Sequence, residues 1–558
     1  MCGIFGVVNV TKNEIDLIQW FKDCYQMTHR GPDNTYFETY QNVIIGFHRL
    51  AIMDDTFQSN QPFILEDDQR TVIFICNGEI YNFKDLVEQH HLRSIKNDCM
   101  VIPEIYMKLL QQGREHEFPT IIKHHVKGEY AFVLFEFDRL KNLRKVIACR
   151  DEIGIRPLYH SDGTDVLVFT SELKGALHYS GNMIEFPPGT MNVMYMNELG
   201  FVKRDVFSCR TLENVMVSDV DHLKSVRTAV MNSVRRRLAA DKPIAWLLSG
   251  GVDSSLVAAL SAKMLGKSIR TFCCGMNEGT DLVYARKVAE HIGSNHMEVN
   301  FTEKEGLAAI DDVIRTIESW DTTTVRASVG QYIVSNYIGS FTDCKVVMVG
   351  EGPDEVCSSY LFNWYAPSGE ALDLSAKEYV KNIHYYDVKR ADRCIARWGL
   401  EGRVPLLDPE FISAYWAIPA EQRMPTHKGM EKWWLREAFA GTGLLPDEVL
   451  WRKKEAFSDG VSGQKSWFQI IQEWVADKVT DEELAAACET FPYSTPTTKE
   501  AYYYRKVFCK WFGAHRQEVI PGYWQPKWTA DGVEVTAYID PSARVLNIYT
   551  ALSDDKAI

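Results

Sequence analysis

Residues 244–260 read IAWLLSGGVDSSLVAAL: an apolar run, a turn rich in glycine and serine, and a second apolar run. The first run predicts a buried β-strand that ends at Leu248, and the second predicts a helix that begins near Ser254. In α/β folds the loop after a parallel strand binds anions, because the N–H groups of the next helix point into it. Gly250 and Gly251 let the backbone approach a phosphate closely. The stretch therefore predicts an α/β domain with a nucleotide pyrophosphate loop.

Outward from this loop, strand and helix patterns alternate along the C-terminal part of the chain. Buried strands are predicted at 270–274 and 344–349, and helices at 222–240 and 281–292. Such alternation is typical of a parallel sheet with helices on its faces. The pattern is then mostly helical to about residue 515. We therefore predict an open parallel α/β sheet with many added helices.

The N-terminal part of the chain has a different pattern, in which short apolar runs are separated by turns. These runs predict strands at 43–47, 71–76, 131–135, 145–149 and 166–169. Helical patterns intervene near 14–29 and 98–112. Strands that are apolar on both faces, combined with a few helices, predict an αββα sandwich of antiparallel sheets. The pattern loosens around 208–222, so we predict two domains, residues 1–207 and 208–558.

The N-terminus offers a candidate nucleophile. Cys2 follows Met1, and a small residue in the second position permits removal of the initiator methionine. The product would carry a thiol and a free α-amino group on one residue. Because that amine titrates near neutrality, with a pKa of about 8, it can accept the thiol proton and act as the base. Cys2 is therefore a candidate nucleophile of an N-terminal-nucleophile hydrolase, although by itself a cysteine here more often indicates an ordinary buried residue.

Net charge and cysteine content narrow the class of protein. The formal net charge is −14, from 75 acidic and 61 basic residues, which argues against nucleic acid or an anionic membrane as the main partner. Thirteen cysteines are scattered over 558 residues, a pattern that favours a reducing compartment. The sequence has neither a signal-peptide pattern nor an apolar run of about 18 residues. We predict a cytoplasmic protein with small-molecule partners, and a homodimer stays open.

Three N-terminal motifs resemble one class of enzymes. Cys2 begins the run CGIFG, residues 29–33 read HRGPD, and residues 77–82 read NGEIYN. Together they resemble the class II glutamine amidotransferases, whose nucleophile is an N-terminal cysteine. Residues 249–255 resemble the signature of ATP pyrophosphatases that adenylate a carboxylate or carbonyl, and the two motifs in this order resemble the family of glutamine-hydrolysing asparagine synthetases. The likeness continues at 318–328, 350–355, 399–408 and 451–460.

The resemblance implies glutamine hydrolysis in the first domain. It assigns glutamine binding to Arg49, Leu50, Ile52, Asn77, Gly78, Glu79 and Asp98. Attack of the Cys2 thiolate on the amide creates an oxyanion, which the Asn77 side chain and the Gly78 N–H would stabilise. Arg49 suits the α-carboxylate because a guanidinium binds carboxylates bidentately. The two acidic residues suit the α-ammonium group.

The resemblance also implies ATP-dependent asparagine synthesis in the second domain, with ATP and aspartate as substrates and β-aspartyl-AMP as the intermediate. It assigns ATP binding to Leu247, Ser249, Gly250, Gly251, Asp253, Ser254, Ser255, Cys274, Val349 and Gly350. Aspartate or phosphate binding is assigned to Thr323, Thr324 and Arg326. Asp253 and Asp354 would hold Mg²⁺. Glu351 would be the catalytic base for ammonium, and Lys454 would stabilise charge on the transferring phosphate.

Two positions depart from the family pattern GEGSDE. Pro353 replaces the serine, so residues 350–355 read GEGPDE, and Val349 replaces the usual serine just before the motif. Proline lacks an N–H and fixes φ. The substitution would weaken ATP chemistry if that N–H normally contacts the pyrophosphate. Two alternatives to asparagine synthesis therefore stay open. One is an amidotransferase that acts on a different carboxylate, and the other is a synthetase-impaired homologue with an interaction role.

Overall fold

The computed structural model describes residues 1–11, 16–93, 95–197, 200–276, 279–453, 465–529 and 531–535. The chain divides into two compact units. Unit 1 consists of Met1–Glu213, Ala239–Lys242 and Ala396–Glu401. Unit 2 consists of Asn214–Leu238, Pro243–Ile395 and the chain from Gly402 onward. Two short segments from later in the chain therefore belong to unit 1.

Unit 1 is built on two six-stranded sheets whose strands pair in antiparallel fashion. Its strands are β1 (Gly3–Asn9), β2 (Asn34–Tyr40), β3 (Val43–Arg49), β4 (Phe63–Glu66), β5 (Arg70–Ile80), β6 (Gly128–Asp138), β7 (Leu143–Arg150), β8 (Tyr159–Ser161), β9 (Val166–Thr170), β10 (Met183–Glu185), β11 (Thr190–Asn197) and β12 (Gly200–Ser208). Its helices are α1 (Leu17–Tyr25), α2 (Phe83–Gln89), α3 (Val101–Gln111) and α4 (Phe118–His125). The sheet orders are β10-β8-β9-β1-β3-β2 and β12-β11-β7-β6-β5-β4.

The two sheets pack face to face because their central strands are apolar on both sides. One core cluster joins β1 and β3 to β5 and β6, with Phe47 and Phe135 fully buried. A second cluster joins the opposite face of β5 and β6 to α2, α3 and α4. On the outer face of the first sheet, Trp20 of α1 packs against Phe5, with ring centroids 5.9 Å apart. This layering confirms the predicted αββα sandwich.

Unit 2 is built on a five-stranded sheet of order β15-β14-β13-β16-β17. Its strands are β13 (Ile244–Leu247), β14 (Arg270–Gly275), β15 (Asn295–Asn300), β16 (Val346–Met348) and β17 (Glu401–Arg403). Its helices are α5 (His222–Arg237), α6 (Val252–Leu265), α7 (Thr280–Ile292), α8 (Glu303–Ile317), α9 (Thr322–Phe341), α10 (Pro353–Val356), α11 (Gly369–Asn382), α12 (Asp387–Ala396), α13 (Pro409–Trp416), α14 (Ala420–Arg423), α15 (Pro425–Lys428), α16 (Trp433–Glu437), α17 (Asp447–Leu450), α18 (Trp467–Ala476), α19 (Asp481–Ala485), α20 (Ala487–Thr490) and α21 (Lys499–Phe512).

Four neighbouring strands of the unit 2 sheet, β15, β14, β13 and β16, pair in parallel. Strand β13 pairs in parallel with β14 and β16, and β14 pairs in parallel with β15. This confirms the predicted parallel sheet with many helices. In the described part of the chain, none of the helices has both the length and the apolar character needed to cross a bilayer.

Candidate active sites

The candidate nucleophile lies at the very start of strand β1 in unit 1. The Met1 ammonium donates to the carbonyl oxygen of Leu400 at 3.2 Å. Arg30 Nε donates to the carbonyl oxygen of Cys2 at 2.9 Å, and the Cys2 thiol donates to the carbonyl oxygen of Leu50 at 3.8 Å. The backbone of the nucleophile is therefore fixed on both sides of its Cα atom.

A buried cluster of charges supports Arg30 in this position. Glu172 Oε1 lies 2.7 Å from the Arg30 guanidinium, and Glu172 Oε2 lies 2.7 Å from the Lys174 ammonium. His29 Nε2 lies 3.2 Å from the same carboxylate. Burial opposes ionisation, yet Lys174, His29 and Arg30 together hold the pKa of Glu172 well below its ordinary range. A carboxylate that stays ionised keeps Arg30 against the carbonyl group of Cys2.

The thiol and the terminal amine both titrate unusually in this setting. Burial raises the pKa of the Cys2 thiol to about 11 and lowers the pKa of the Met1 ammonium to about 5. While Met1 is present, the nitrogen of Cys2 belongs to a peptide bond and cannot act as a base. An amine on Cys2 itself requires that Met1 be removed.

The end of strand β5 carries the candidate oxyanion donors. Asn77 is 1% exposed, and its Nδ2 atom has no hydrogen-bond partner among the described residues. Gly78 pairs with Tyr130 of β6, where a Cβ atom would lie 2.6 Å from the carbonyl oxygen of Glu129 and 2.7 Å from Tyr130 Cβ. Only glycine fits at position 78, where strand β5 lies close against β6.

The remaining glutamine-binding candidates surround these two places. Arg49 ends β3, is 5% exposed, and donates to the Thr56 carbonyl oxygen at 2.9 Å and to Asn60 Oδ1 at 2.6 Å. Leu50 and Ile52, which follow it, are buried, and so is Glu79 on β5. Asp98 Oδ2 accepts from the Ile80 N–H at 2.7 Å.

The structure thus brings the glutamine candidates into two groups. Leu50 lies beside the Cys2 thiol, next to Arg49. Asp98 lies beside the end of β5, where the Cys99 thiol also donates to the Gly78 carbonyl oxygen at 3.3 Å. Both groups belong to unit 1.

In unit 2 a cleft lies at the carboxyl ends of β13, β14 and β16. Seven of the predicted ATP-binding residues line it: Leu247, Ser249, Gly251, Asp253, Ser254, Cys274 and Gly350. Three do not: Gly250, Ser255 and Val349. A cleft at this edge of a parallel sheet is the usual ligand position in open α/β folds.

The loop before helix α6 folds as an anion-binding turn requires. The hydroxyl groups of Ser249 and Ser254 lie 3.0 Å apart, and the Gly251 N–H approaches Ser249 Oγ at 3.4 Å. Gly250 has φ +72°, and a Cβ atom there would lie 2.4 Å from Tyr284 Cβ. Position 250 therefore needs glycine for both conformation and space.

Lys432 lies between the two carboxylates that were predicted as magnesium ligands. Its Nζ atom is 2.5 Å from Asp253 Oδ2 and 2.6 Å from Asp354 Oδ1. Burial disfavours the charge, but the two carboxylates raise the pKa of Lys432 above its ordinary value. The sequence analysis missed Lys432 because it belongs to no recognised motif. The residue lies just before helix α16 and has a left-handed backbone conformation, with φ +56°.

Glu351 forms a second charged cluster in the same cleft. Its Oε1 atom accepts from Gln331 Nε2 at 3.0 Å and from the Arg390 guanidinium at 3.2 Å. Arg390 also donates to Asp387 Oδ1 at 2.6 Å. Burial raises the pKa of Glu351, and Arg390 opposes that shift. Sequence reasoning did not find Gln331, Asp387 or Arg390, because helices α9 and α12 bring them together only in the fold.

Comparison with known proteins places both sites in one family. The family model described as "Glutamine amidotransferase domain" matches residues 1–229, and that described as "Asparagine synthase" matches residues 225–379 and 366–538. The chain is 39% identical to "Asparagine synthetase [glutamine-hydrolyzing]" of Gallus gallus over 98% of its length and 99% of that protein. The Homo sapiens protein of the same name matches equally, at 39% over 98% and 99%. The chain belongs to the glutamine-hydrolysing asparagine synthetase family.

Among solved structures, a glutamine phosphoribosylpyrophosphate amidotransferase from B. subtilis matches with a TM-score of 0.31 and 14% identity, over 54% of this chain and 81% of that one.

One set of residues assigned through the asparagine synthetase family lies away from the cleft lining. Arg326 forms two hydrogen bonds to Glu500, at 2.7 and 2.5 Å, and is 5% exposed. Thr324 donates through its hydroxyl to Asp321 at 2.7 Å, whereas the buried Thr323 Oγ1 has no partner among the described residues. An aspartate- or phosphate-binding role for this set stays a prediction. Lys454 lies outside the residues that the structure describes.

The two departures from the asparagine synthetase pattern are accommodated in the backbone. Pro353 is the first residue of α10, after Gly352 at φ +106°. The first turn of a helix has no internal use for the N–H group that proline lacks. Val349 is buried, and its N–H donates to the Arg403 carbonyl oxygen at 3.1 Å. The helix therefore loses no hydrogen bond to Pro353.

Proposed function

We propose that this protein makes L-asparagine from L-aspartate, with glutamine as the nitrogen source and ATP as the activating substrate. The observation that supports this best is that one chain carries two sites. One is an N-terminal cysteine with an unpartnered amide donor, and the other is a cleft lined by the SGGVDSS loop. The first suits amide hydrolysis and the second suits activation of a carboxylate. We assign the first step to residues 1–207 and the second to residues 208–558.

Glutamine hydrolysis begins at Cys2 once Met1 has been removed. The α-amino group takes the thiol proton, the sulfur attacks the amide carbon, and the amide oxygen becomes an oxyanion. Asn77 Nδ2 and the Gly78 N–H would donate to that oxyanion. Collapse of the intermediate expels ammonia and leaves a thioester on Cys2, which water hydrolyses to glutamate.

Recognition of glutamine would use the charged groups around Cys2. Arg49 would bind the α-carboxylate, and its existing hydrogen bonds to Thr56 and Asn60 would hold the guanidinium plane in place. Asp98 and Glu79, both buried on the β5 side, would accept from the α-ammonium group. Leu50 and Ile52 would supply the apolar wall, as is usual for small-ligand sites.

Asparagine synthesis would proceed in the cleft of unit 2 in two steps. A β-carboxylate oxygen of aspartate attacks the α-phosphorus of ATP, pyrophosphate leaves, and β-aspartyl-AMP forms. Ammonia then attacks the acyl carbon, and AMP leaves with the bridging oxygen. The loop from Ser249 to Ser255 would bind the phosphates. Glu351 would take a proton from the attacking nitrogen, a role that suits a carboxylate whose pKa burial has raised.

The cleft residues fit a magnesium ion that arrives with ATP. Asp253 Oδ1 is buried and has no partner among the described residues, and Asp253 Oδ2 and Asp354 Oδ1 converge on one cation, the Lys432 ammonium. Magnesium is commonly held by one or two carboxylates together with substrate phosphates. Asp253 and Asp354 would hold it, and the ion would neutralise charge on the phosphate oxygens.

The cysteines support a reducing location such as the cytoplasm. All thirteen are free, so the fold uses no disulfide. The sequence left a homodimer open, and light scattering of the full chain would measure the oligomeric state.

An isotope experiment tests the proposed chemistry directly. Aspartate labelled with ¹⁸O in the β-carboxylate is incubated with ATP, Mg²⁺ and glutamine. We expect one ¹⁸O atom in AMP and one in the asparagine amide, because the carboxylate oxygen bridges carbon and phosphorus. Unlabelled AMP would contradict an acyl-adenylate, and labelled AMP without asparagine would favour a different acceptor.

A further inference from the structure

The chain after helix α21 returns across unit 2 as an extended segment. We call residues 520–528 the C-terminal strap. Three tyrosine hydroxyl groups donate to its backbone carbonyl groups: Tyr493 to Ile520 at 3.0 Å, Tyr386 to Gly522 at 3.2 Å and Tyr379 to Gln525 at 2.7 Å. A segment without a helix or strand of its own is thus held by Tyr379 of helix α11 and by two tyrosines in turns of unit 2.

Trp524 connects the strap to helix α9. The Trp524 N–H donates to Asp321 Oδ1 at 2.8 Å, and Asp321 Oδ2 caps α9 by accepting from the Thr324 N–H at 2.8 Å. Further along α9, Gln331 and Val334 line the synthetase cleft. The strap therefore meets the N-terminus of a helix that forms one wall of the cleft.

The Trp524 ring connects the strap to the cleft by a second route. It packs edge-on against Tyr360, with ring centroids 4.9 Å apart and an interplanar angle of 61°. The Tyr360 hydroxyl donates to Glu355 Oε1 at 2.5 Å. Tyr360 and Glu355 both line the cleft, and Glu355 follows Asp354 directly.

We propose that Trp524 is a positioning residue for asparagine synthesis: its ring fixes Tyr360, and the Tyr360 hydroxyl fixes the Glu355 carboxylate in the cleft. This inference rests on the proposed function, because it concerns the synthetase step. Edge-to-face aromatic pairs of this kind hold ring orientation beyond simple burial. The Tyr360 ring also stacks on Phe362 at 5.6 Å, and the Trp524 edge is the contact that the strap adds.

A pair of tryptophans offers a matched experiment. Trp524 and Trp528 belong to one aromatic cluster and are 8% and 6% exposed. Both rings pack on Phe362, at 6.1 and 6.0 Å, and Trp524 packs on Tyr360 as well. We expect Trp524→Ala to lower aspartate-dependent pyrophosphate release with ammonia at least tenfold in kcat, and Trp528→Ala to lower it less than threefold. Glutamine hydrolysis, which uses unit 1, is the internal control for folding. Equal losses in the two variants would overturn the proposal.

Tyr360→Phe tests the route through the hydroxyl group. We expect it to reproduce the loss of Trp524→Ala, and the double variant to be no worse than either single one. Trp524→Phe, which keeps an aromatic edge, should restore most of the rate. Losses that multiply in the double variant, or no rescue by Trp524→Phe, would overturn the proposal.

An exchange measurement separates this inference from the proposed function. Hydrogen–deuterium exchange of the full chain is followed in peptides covering residues 353–361. We expect faster exchange there in Trp524→Ala than in Trp528→Ala, whether or not the wild type makes asparagine. Faster exchange without wild-type turnover would contradict the proposed function alone, and unchanged exchange would contradict the positioning role.

Discussion

Lys432 Nζ lies 2.5 Å from Asp253 Oδ2 and 2.6 Å from Asp354 Oδ1. The ammonium group therefore lies between the two carboxylates that the sequence predicted as magnesium ligands. We expect Lys432→Ala to lower ammonia-dependent asparagine formation by about 100-fold, because preorganised positive charge at a phosphoryl site is worth that much. Glutamine hydrolysis should stay within about twofold of the wild-type rate, since Lys432 belongs to unit 2.

A thermal measurement checks the same residue without turnover. Removal of the ammonium leaves Asp253 and Asp354 facing each other, so Mg²⁺ should raise the melting temperature of Lys432→Ala more than that of the wild type. Lys428→Ala, in the same segment but exposed, is the matched control. Equal Mg²⁺ shifts in all three proteins would show that the two carboxylates do not form a cation site.

The Cys2 thiol should be unreactive while Met1 is retained. With a pKa of about 11, only roughly 1 in 3000 thiols is ionised at pH 7.5. The alkylation rate of Cys2 in the Met1-retaining form should therefore rise steeply with pH up to about 11, since the thiolate fraction grows as pH approaches the pKa. Peptide mass spectrometry can follow it, with exposed Cys488 as the reference in the same chain. A rate already level at pH 8 would refute the burial argument.

Asn77 should act on the transition state of glutamine hydrolysis. We expect Asn77→Ala to lower kcat by about 100- to 1000-fold, the usual effect of removing one oxyanion donor, with little change in KM. Asn82→Ala serves as the control, because Asn82 Nδ2 is already bound to the His125 carbonyl oxygen at 2.8 Å. A higher KM with an unchanged kcat would instead assign Asn77 to substrate binding.

Periodicity and motifs predicted the layers of this protein but could not predict every strand. Strand β15 reads NHMEVN. It lies at the edge of the sheet, next to β14, and its polar residues give no apolar run from which a strand could be predicted. The central strands, which are continuously apolar, were found because burial on both faces leaves a clear pattern. Strand β17 is three residues long and gives no periodic signal.

The candidate sites divide in the same way. Asn77 and Asp253 could be named because each lies within a recognisable sequence motif, NGEIYN and SGGVDSS. Lys432, just before helix α16, and Arg390 of helix α12 could not be named, since only tertiary packing shows which carboxylate each one meets. The family resemblance assigned Arg326 a binding role, which stays a prediction, and its pairing with Glu500 could not be read from the sequence because the two residues are far apart in the chain.

The central claim is that one chain hydrolyses glutamine at Cys2 and activates aspartate at a separate site. The most direct test compares aspartate-dependent pyrophosphate release by the wild type and Cys2→Ala, each with glutamine and with ammonium chloride. We predict that Cys2→Ala loses glutamine-supported asparagine formation by at least about 1000-fold and keeps the ammonia-supported rate. Pyrophosphate release that fails with both nitrogen sources in the wild type, or that Cys2→Ala abolishes with both, would contradict the account.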